Sequence, residues 1–157
     1  MKEIMEREKR SDSQIIEAFY EKARRYCSYI DGRTVREEDA ESIIYLLMDV
    51  YMEGLLLPSL EPDTTDEEDP SVPEPKISFE IPTCYWEVFN GFHDEDIVAG
   101  DLQDDLASIY TDLMEGILLY DAGRVGDAVF EWNFGQTNHW GQHLTDAVRA
   151  LHQIKAG

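Results

Sequence analysis

All six prolines of the chain lie between residues 58 and 82, so the residue that most firmly breaks a helix is confined to one window. On either side, apolar residues recur at the three- and four-residue steps of a helix face. The expectation is an all-α, single-domain bundle of about five helices over residues 1–157, with one long acidic, Pro-rich loop at 58–82. A chain of this length buries roughly 70% of the surface its unfolded form exposes and needs no covalent staple.

The first helix is predicted from Ser11 to Gly32, with Ile15, Ile16, Phe19, Ala23, Tyr26, Cys27 and Ile30 inward and a capping box between Ser11 and Gln14. The second is predicted to start with a box between Thr34 and Glu37. It is apolar almost all round from Ile43 to Leu57 and stops at Pro58, which suggests a central position. Its early run "EEDAE" resembles the acid pattern of all-helical nucleotide pyrophosphohydrolases, which hold magnesium between two acidic pairs. No well-placed second pair follows, so these acids read as complements to a helix N-terminus. The stretch "EPDTTDEEDPSVPEP" carries seven acids and no base and reads as a disordered or extended insertion; "KISFEIP" then alternates as a short extended segment.

Charge narrows the function classes. The chain holds 13 basic and 34 acidic residues, a net −21, and residues 1–36 contain 9 of the 13 Lys and Arg. From residue 37 onward only 4 basic residues face 27 acidic ones, so the body has almost nothing with which to neutralise phosphates. Direct binding to nucleic acid or anionic lipid is not expected; a basic protein partner fits, as does a charge that simply confers solubility. Cys27 and Cys84 lack metal-like spacing and form no disulfide framework. The N-terminus "MKEIMEREKRSDS" alternates charges where a signal peptide needs an apolar core, and no run reaches a membrane span. A soluble, cytoplasmic protein is expected.

"TCYWEVFNGF" places Tyr85, Phe89 and Phe92 on one helical face with Trp86 toward its edge, so these aromatics are expected in the core. A clear amphipathic helix follows through Leu102, Leu106, Ile109, Leu113 and Ile117, and Asp101, Asp105, Asp112 and Glu115 form an acidic stripe beside its apolar face. Such a stripe requires a cationic counterpart; Lys22, Arg24 and Arg25 of the first helix are one candidate and a metal is the other. "MEGLLL" at 52–57 recurs as "MEGILL" at 114–119, which gives Glu53 and Glu115 related positions and lets Gly54 and Gly116 permit close backbone approach.

The segment after "YDAGRVGD" reads as one long helix antiparallel to its predecessor, apolar through Val125, Val129, Trp132, Trp140, Leu144, Ala147, Leu151 and Ile154. In its middle Gln136, His139 and His143 interrupt the stripe, with Asp146 on the same edge. His139, His143 and Asp146 project within about 60° of arc, a set that suits a divalent metal such as zinc or iron. With Glu53 and Glu115 from two other helices, and with Trp140, they define a candidate polar cluster. It reads either as a metal or acid/base site or as a layer of histidines bonded to carboxylates that sets helix register. His-Glu-x-x-His and paired Glu-x-x-His motifs are absent, and His93 and His152 stand alone, at the expected surface.

Together, "YWEVFNGF", "DLQDDLASIYTDLMEGILLY" and "AVFEWNFGQTNHWGQHLTDAVRALH" resemble the uncharacterised bacterial domain-of-unknown-function family DUF5063, over about residues 12–152 apart from the acidic loop. The resemblance implies a bacterial, cytosolic, helical domain and no assigned reaction; Gly135, just before the histidines, is where this chain departs from the family pattern and where an unbroken last helix is in question. Two functions stay open. One is an acidic interaction or regulatory protein that engages a basic protein; the other is a metal-dependent or acid/base enzyme built on Glu53, Glu115, His139, His143 and Asp146.

Overall fold

A computed structural model describes residues 9–63 and 66–157; the charge-alternating residues 1–8, and Thr64 and Thr65 of the acidic loop, lie outside the described residues. Five helices form the body: α1 (Asp12–Ile30), α2 (Ala40–Gly54), α3 (Leu102–Asp121), α4 (Val125–Asn138) and α5 (Trp140–Ala156). Four short strands accompany them: β1 (Thr34–Val35), β2 (Ser78–Phe79), β3 (Cys84–Glu87) and β4 (Val98–Asp101). The chain is thus mostly helical, with two small two-stranded sheets.

Helix α1 begins as its sequence dictates. Ser11 Oγ accepts from the Gln14 backbone N–H at 3.2 Å, and the Gln14 side chain accepts from the Ser11 N–H at 2.9 Å. Its inward face buries Ile15, Ile16, Phe19, Ala23, Tyr26, Cys27 and Ile30. Gly32 follows with φ 79°, a left-handed turn that only glycine adopts cheaply.

The predicted box at Thr34 does not form. Thr34 and Val35 pair in parallel with Ser78 and Phe79, a 3-10 turn occupies Glu37–Asp39, and Asp39 accepts from the Arg36 N–H at 2.8 Å. Tertiary pairing with β2 removes those residues from the helix. Helix α2 packs on α1 and α5, while Tyr45, Met48, Met52 and Leu55 stay exposed, so the central position falls instead to α3, which packs on α1, α4 and α5.

Among the described residues of the acidic loop, 58–63 and 66–77 have no regular secondary structure and Ser78–Phe79 form β2, yet the irregular part makes defined contacts. Asp63 and Asp127 exchange backbone-to-carboxylate bonds of 2.8 and 3.1 Å at the start of α4, where the helix N-terminus favours negative charge. Arg124 holds Asp127 at 2.6 Å, Asp69 at 3.3 Å and the Glu68 carbonyl at 3.1 Å.

Two further expectations are corrected. Residues 84–87 form a strand of an antiparallel hairpin, paired Cys84 with Asp101 through Glu87 with Val98, and not part of a buried aromatic helix. Alternation of period two turns Tyr85 and Glu87 toward the bundle and Cys84 and Trp86 to solvent. Gly100 makes this pairing fit, since a Cβ there would lie 2.4 Å from the Tyr85 ring. Trp86, Phe89 and Phe92 are consequently 75%, 64% and 101% exposed, and only Tyr85 packs against the core.

The last helix is broken as well. His139 has φ −147° and ψ −84° and separates α4 from α5, four residues beyond Gly135. The break lets Trp140 enter the core, where a Cβ on Gly135 would meet its indole at 2.4 Å. Gly141 is held against the end of α4, with the Gln136 carbonyl oxygen only 1.8 Å from where a Cβ would stand. A backbone carbonyl cannot move aside as a side-chain tip can. Gly141→Ala should therefore lower unfolding stability by about 1–3 kcal/mol, read as a reduced urea midpoint. Gly91→Ala, with nothing within 4 Å, should leave that midpoint unchanged.

Candidate functional site

The histidines of "NHWGQHL" meet the acidic stripe of α3. His143 Nδ1 lies 2.8 Å from Asp105 Oδ1, and His139 Nδ1 lies 2.5 Å from Asp112 Oδ2. Seven residues on α3 match four residues across the α4/α5 break, and the two imidazoles meet edge to face at 4.9 Å between centroids. The groups opposite Asp105 and Asp112 of the stripe are thus histidines. Lys22 of α1 turns instead to α2, at 2.7 Å from Asp49 and 3.5 Å from Glu53, and Arg24 bonds to the Tyr20 hydroxyl.

Asp105 is buried, at 4% exposure, and both its oxygens are used. Oδ1 faces His143 and Oδ2 accepts from the Tyr85 hydroxyl at 2.5 Å. In its charged form His143 is a donor at both ring nitrogens, so Nδ1 then donates to Asp105. The bond to Asp105 holds the His143 pKa above its ordinary value against the opposing effect of burial, with Asp104 and Asp146 adding to the rise. Burial, reinforced by Asp105, pushes the Tyr85 phenol well up, so it remains a donor.

Beside this relay stand two carboxylates. Asp146 of α5 faces Glu87 of β3 and accepts from Gln142 Nε2 at 3.2 and 3.3 Å. Burial together with the charge of Asp146 raises Glu87 to about 6, and burial raises Asp146 as well. Two carboxyl groups this close share a proton rather than both ionise. Titratable groups thus help attach the hairpin to the bundle, Tyr85 to Asp105 and Glu87 to Asp146, alongside the packing of the Tyr85 ring on the core.

The remaining predicted residues are spread out. Glu53 is 1% exposed and pairs with Arg10 at 2.5 Å and with Lys22, on the α1 side of α2. Glu115 is grouped with Glu131, Asp69 and Asp112, and burial followed by those charges raises its pKa. Gln136 donates to the Tyr51 carbonyl at 3.2 Å, and Trp140 donates to the Trp132 carbonyl at 2.9 Å deep in the core. His139, His143 and Asp146 each face a different carboxyl group, and among the described residues no set of three or more His, Cys, Asp or Glu is placed to hold a metal ion. His93 and His152 are at the surface, and both cysteines are free, Cys27 buried and Cys84 exposed.

The "MEGLLL" and "MEGILL" echo has a spatial counterpart. Gly54 of α2 and Gly116 of α3 both face α4, where the space a Cβ would fill is taken by Gln136 and Trp132, four residues apart. Sequence reasoning placed Asp105 and Asp112 in the stripe but not in the site, and left out Tyr85 and Glu87. The inward pair at 85 and 87 carries a period-two signal that the helical reading of the aromatics obscured.

These shifts set a pH dependence. Glu87 keeps its proton to a higher pH folded than unfolded, so stability falls as pH rises from the ordinary glutamate range through about 6. The His143 contribution is complete below the ordinary histidine pKa and is lost as pH rises through its raised folded value. Glu87→Gln should therefore stabilise the protein at pH 7.5 by on the order of 1 kcal/mol after allowance for solvent screening, and change little at pH 4.5. Urea denaturation at the two pH values checks this.

Among the described residues no helix is long and apolar enough to cross a membrane. Of known structures, the chain is similar to protein BF1032 from Bacteroides fragilis, with a TM-score of 0.64 and 20% identity over 88% of this chain and 93% of that one. At that identity the likeness concerns the fold alone. No curated protein matches. The model of the family described as "Domain of unknown function (DUF5063)" matches residues 10–157, and the chain belongs to that family.

Proposed function

We propose that the protein is a non-catalytic interaction protein of the cytoplasm that binds a basic protein partner through the β3–β4 hairpin and the acidic surface around it. The observation that carries this reading is the exposure of Trp86, Phe89, Phe92 and Ile97, each 64% or more, on one hairpin. Contiguous large aromatics left in water mark an interaction surface more often than an incidental one. Acids accompany them: Glu87 at the end of β3, where the connecting loop begins, and Asp94, Glu95 and Asp96 within that loop. A partner with apolar residues inside a basic rim complements that arrangement, while a nucleic acid does not.

The test is retention of basic proteins from cytosol at low and high ionic strength. The parent should retain a stoichiometric basic protein at low salt and release it as salt rises. Trp86→Ala/Phe89→Ala/Phe92→Ala should reduce retention by about tenfold or more, with an unchanged melting temperature because none of the three side chains is in the core. Retention indifferent to both the substitutions and salt would exclude this mode.

A second reading, general acid/base chemistry, rests on the Tyr85, Asp105 and His143 relay, in which a buried carboxylate orients an imidazole as catalytic pairs do. Its metal-dependent form, with His139, His143 and Asp146 as ligands, is decided by elemental analysis of untagged protein. Stoichiometric divalent metal lost in a folded His139→Ala/His143→Ala variant would move the function to this reading.

A further inference from the structure

Helices α2 and α4 enclose a groove in which side-chain amides are held in one orientation. Gln136 Nε2 donates to the Tyr51 carbonyl at 3.2 Å and Asn133 Nδ2 donates to the Pro58 carbonyl at 2.7 Å. A carbonyl can only accept, so each amide must present its nitrogen to the backbone and leave its oxygen free. Gln142 Nε2 is committed in the same way to the Asp146 carboxylate. Among the described residues none donates to Asn133 Oδ1, Gln136 Oε1 or Gln142 Oε1. These three residues, with Tyr51, Leu55 and Thr137, line a cleft of about 490 Å³, and none of its described lining residues is charged.

The borders of the groove are apolar. Gly54 at the end of α2 meets Gln136 of α4, and Pro58, beyond that helix, accepts from Asn133. At about 100° per residue, Met48 and Met52 follow Leu55 around α2 as Phe130 and Phe134 follow Thr137 around α4. Met48, Met52 and Leu55 are 44%, 44% and 64% exposed, and the stacked Phe130 and Phe134 are 40% and 56% exposed.

We propose that the α2/α4 groove docks a basic segment of the protein partner, with an arginine side chain of that segment seated in the amide-lined cleft. This rests on the partner being basic, as proposed above. A guanidinium offers five N–H donors and no acceptor, which matches a cleft whose unused side-chain atoms include three oriented oxygens. Its aliphatic stem lies on Leu55 and the methionine row, and flanking apolar residues of the segment cover Phe130 and Phe134. The net charge of −21 draws the cation toward this chain, and the uncharged floor supplies hydrogen bonds without locking it in a single ion pair. Gln142 joins the cleft to Asp146 and thus to Glu87, where β3 runs into the exposed connecting loop of the hairpin.

The experiment is a nitrogen-15 NMR titration of the full chain with N-acetyl-arginine amide, N-acetyl-citrulline amide and agmatine at matched ionic strength. The expected result is a saturable shift of the Asn133, Gln136 and Gln142 side-chain amides with the arginine probe, and affinity at least about tenfold weaker for the neutral citrulline probe. Gln136→Met and Thr137→Val should each weaken the arginine probe about fivefold; melting temperatures check that the variants fold, and Thr137→Val removes no bond within the protein. Equal shifts with citrulline, or shifts confined to surface carboxylates, would overturn the assignment. Tenfold tighter agmatine would overturn a partner side chain as the source. A groove that ignores the arginine probe, while the hairpin substitutions still release a basic protein, overturns this inference alone. Retention indifferent to the hairpin, with an arginine-responsive groove, overturns the hairpin reading alone.

Discussion

Two tryptophans bonded in series organise this fold. Trp132 donates its indole N–H to the Leu113 carbonyl at 3.2 Å, and Trp140 donates to the Trp132 carbonyl at 2.9 Å, both side chains fully buried. An indole N–H left unpaired in such a core would cost about 1–3 kcal/mol, so the two bonds fix where each ring can lie. Phe19 of α1 packs against both, at 4.8 and 6.0 Å between centroids. Gly116 and Gly135 exist to make room for them, since a Cβ at either position would overlap an indole. Four of the five helices are tied together by this one arrangement.

The candidate site follows from it. For Trp140 to reach the core directly after α4, the backbone must leave helical geometry at His139, and that break sets His139 and His143 over Asp112 and Asp105. The acids of α3 would repel one another on an isolated helix; here the imidazoles lie opposite them. Asp105 then extends the network to Tyr85, and Asp146 to Glu87, so the hairpin bearing the exposed aromatics is anchored on titratable groups. A surface proposed for recognition and a buried polar network are thus parts of one mechanical unit.

Where sequence and structure part, the reasons are specific. Tyr85, Phe89 and Phe92 fit a helical period by coincidence of spacing, but Gly100 and the β4 strand offer Tyr85 a pairing partner, which no local pattern reveals. The break at His139 was shadowed only by nearby glycines, and it was Gly141, pressed on the Gln136 carbonyl, that marked it more directly than Gly135. Glu53 and Glu115 shared a motif and a relation to α4 through the glycines beside them, yet their carboxylates point into different neighbourhoods: Arg10 and Lys22 for one, acids for the other.

Sequence alone determined the mostly helical class, the capped start of α1, the turn between α3 and α4 and the family. These follow from local rules: where proline is absent, which faces repeat at helical spacing, and which side chains cap or turn. Only the tertiary structure decided that the aromatics of 86–92 face water, that the histidines pair with Asp105 and Asp112, and that the amides of Asn133 and Gln136 commit their nitrogens to backbone carbonyls at the end of α2 and just beyond it. Each of those depends on a partner far along the chain, and pairing at a distance leaves no period in the residues themselves.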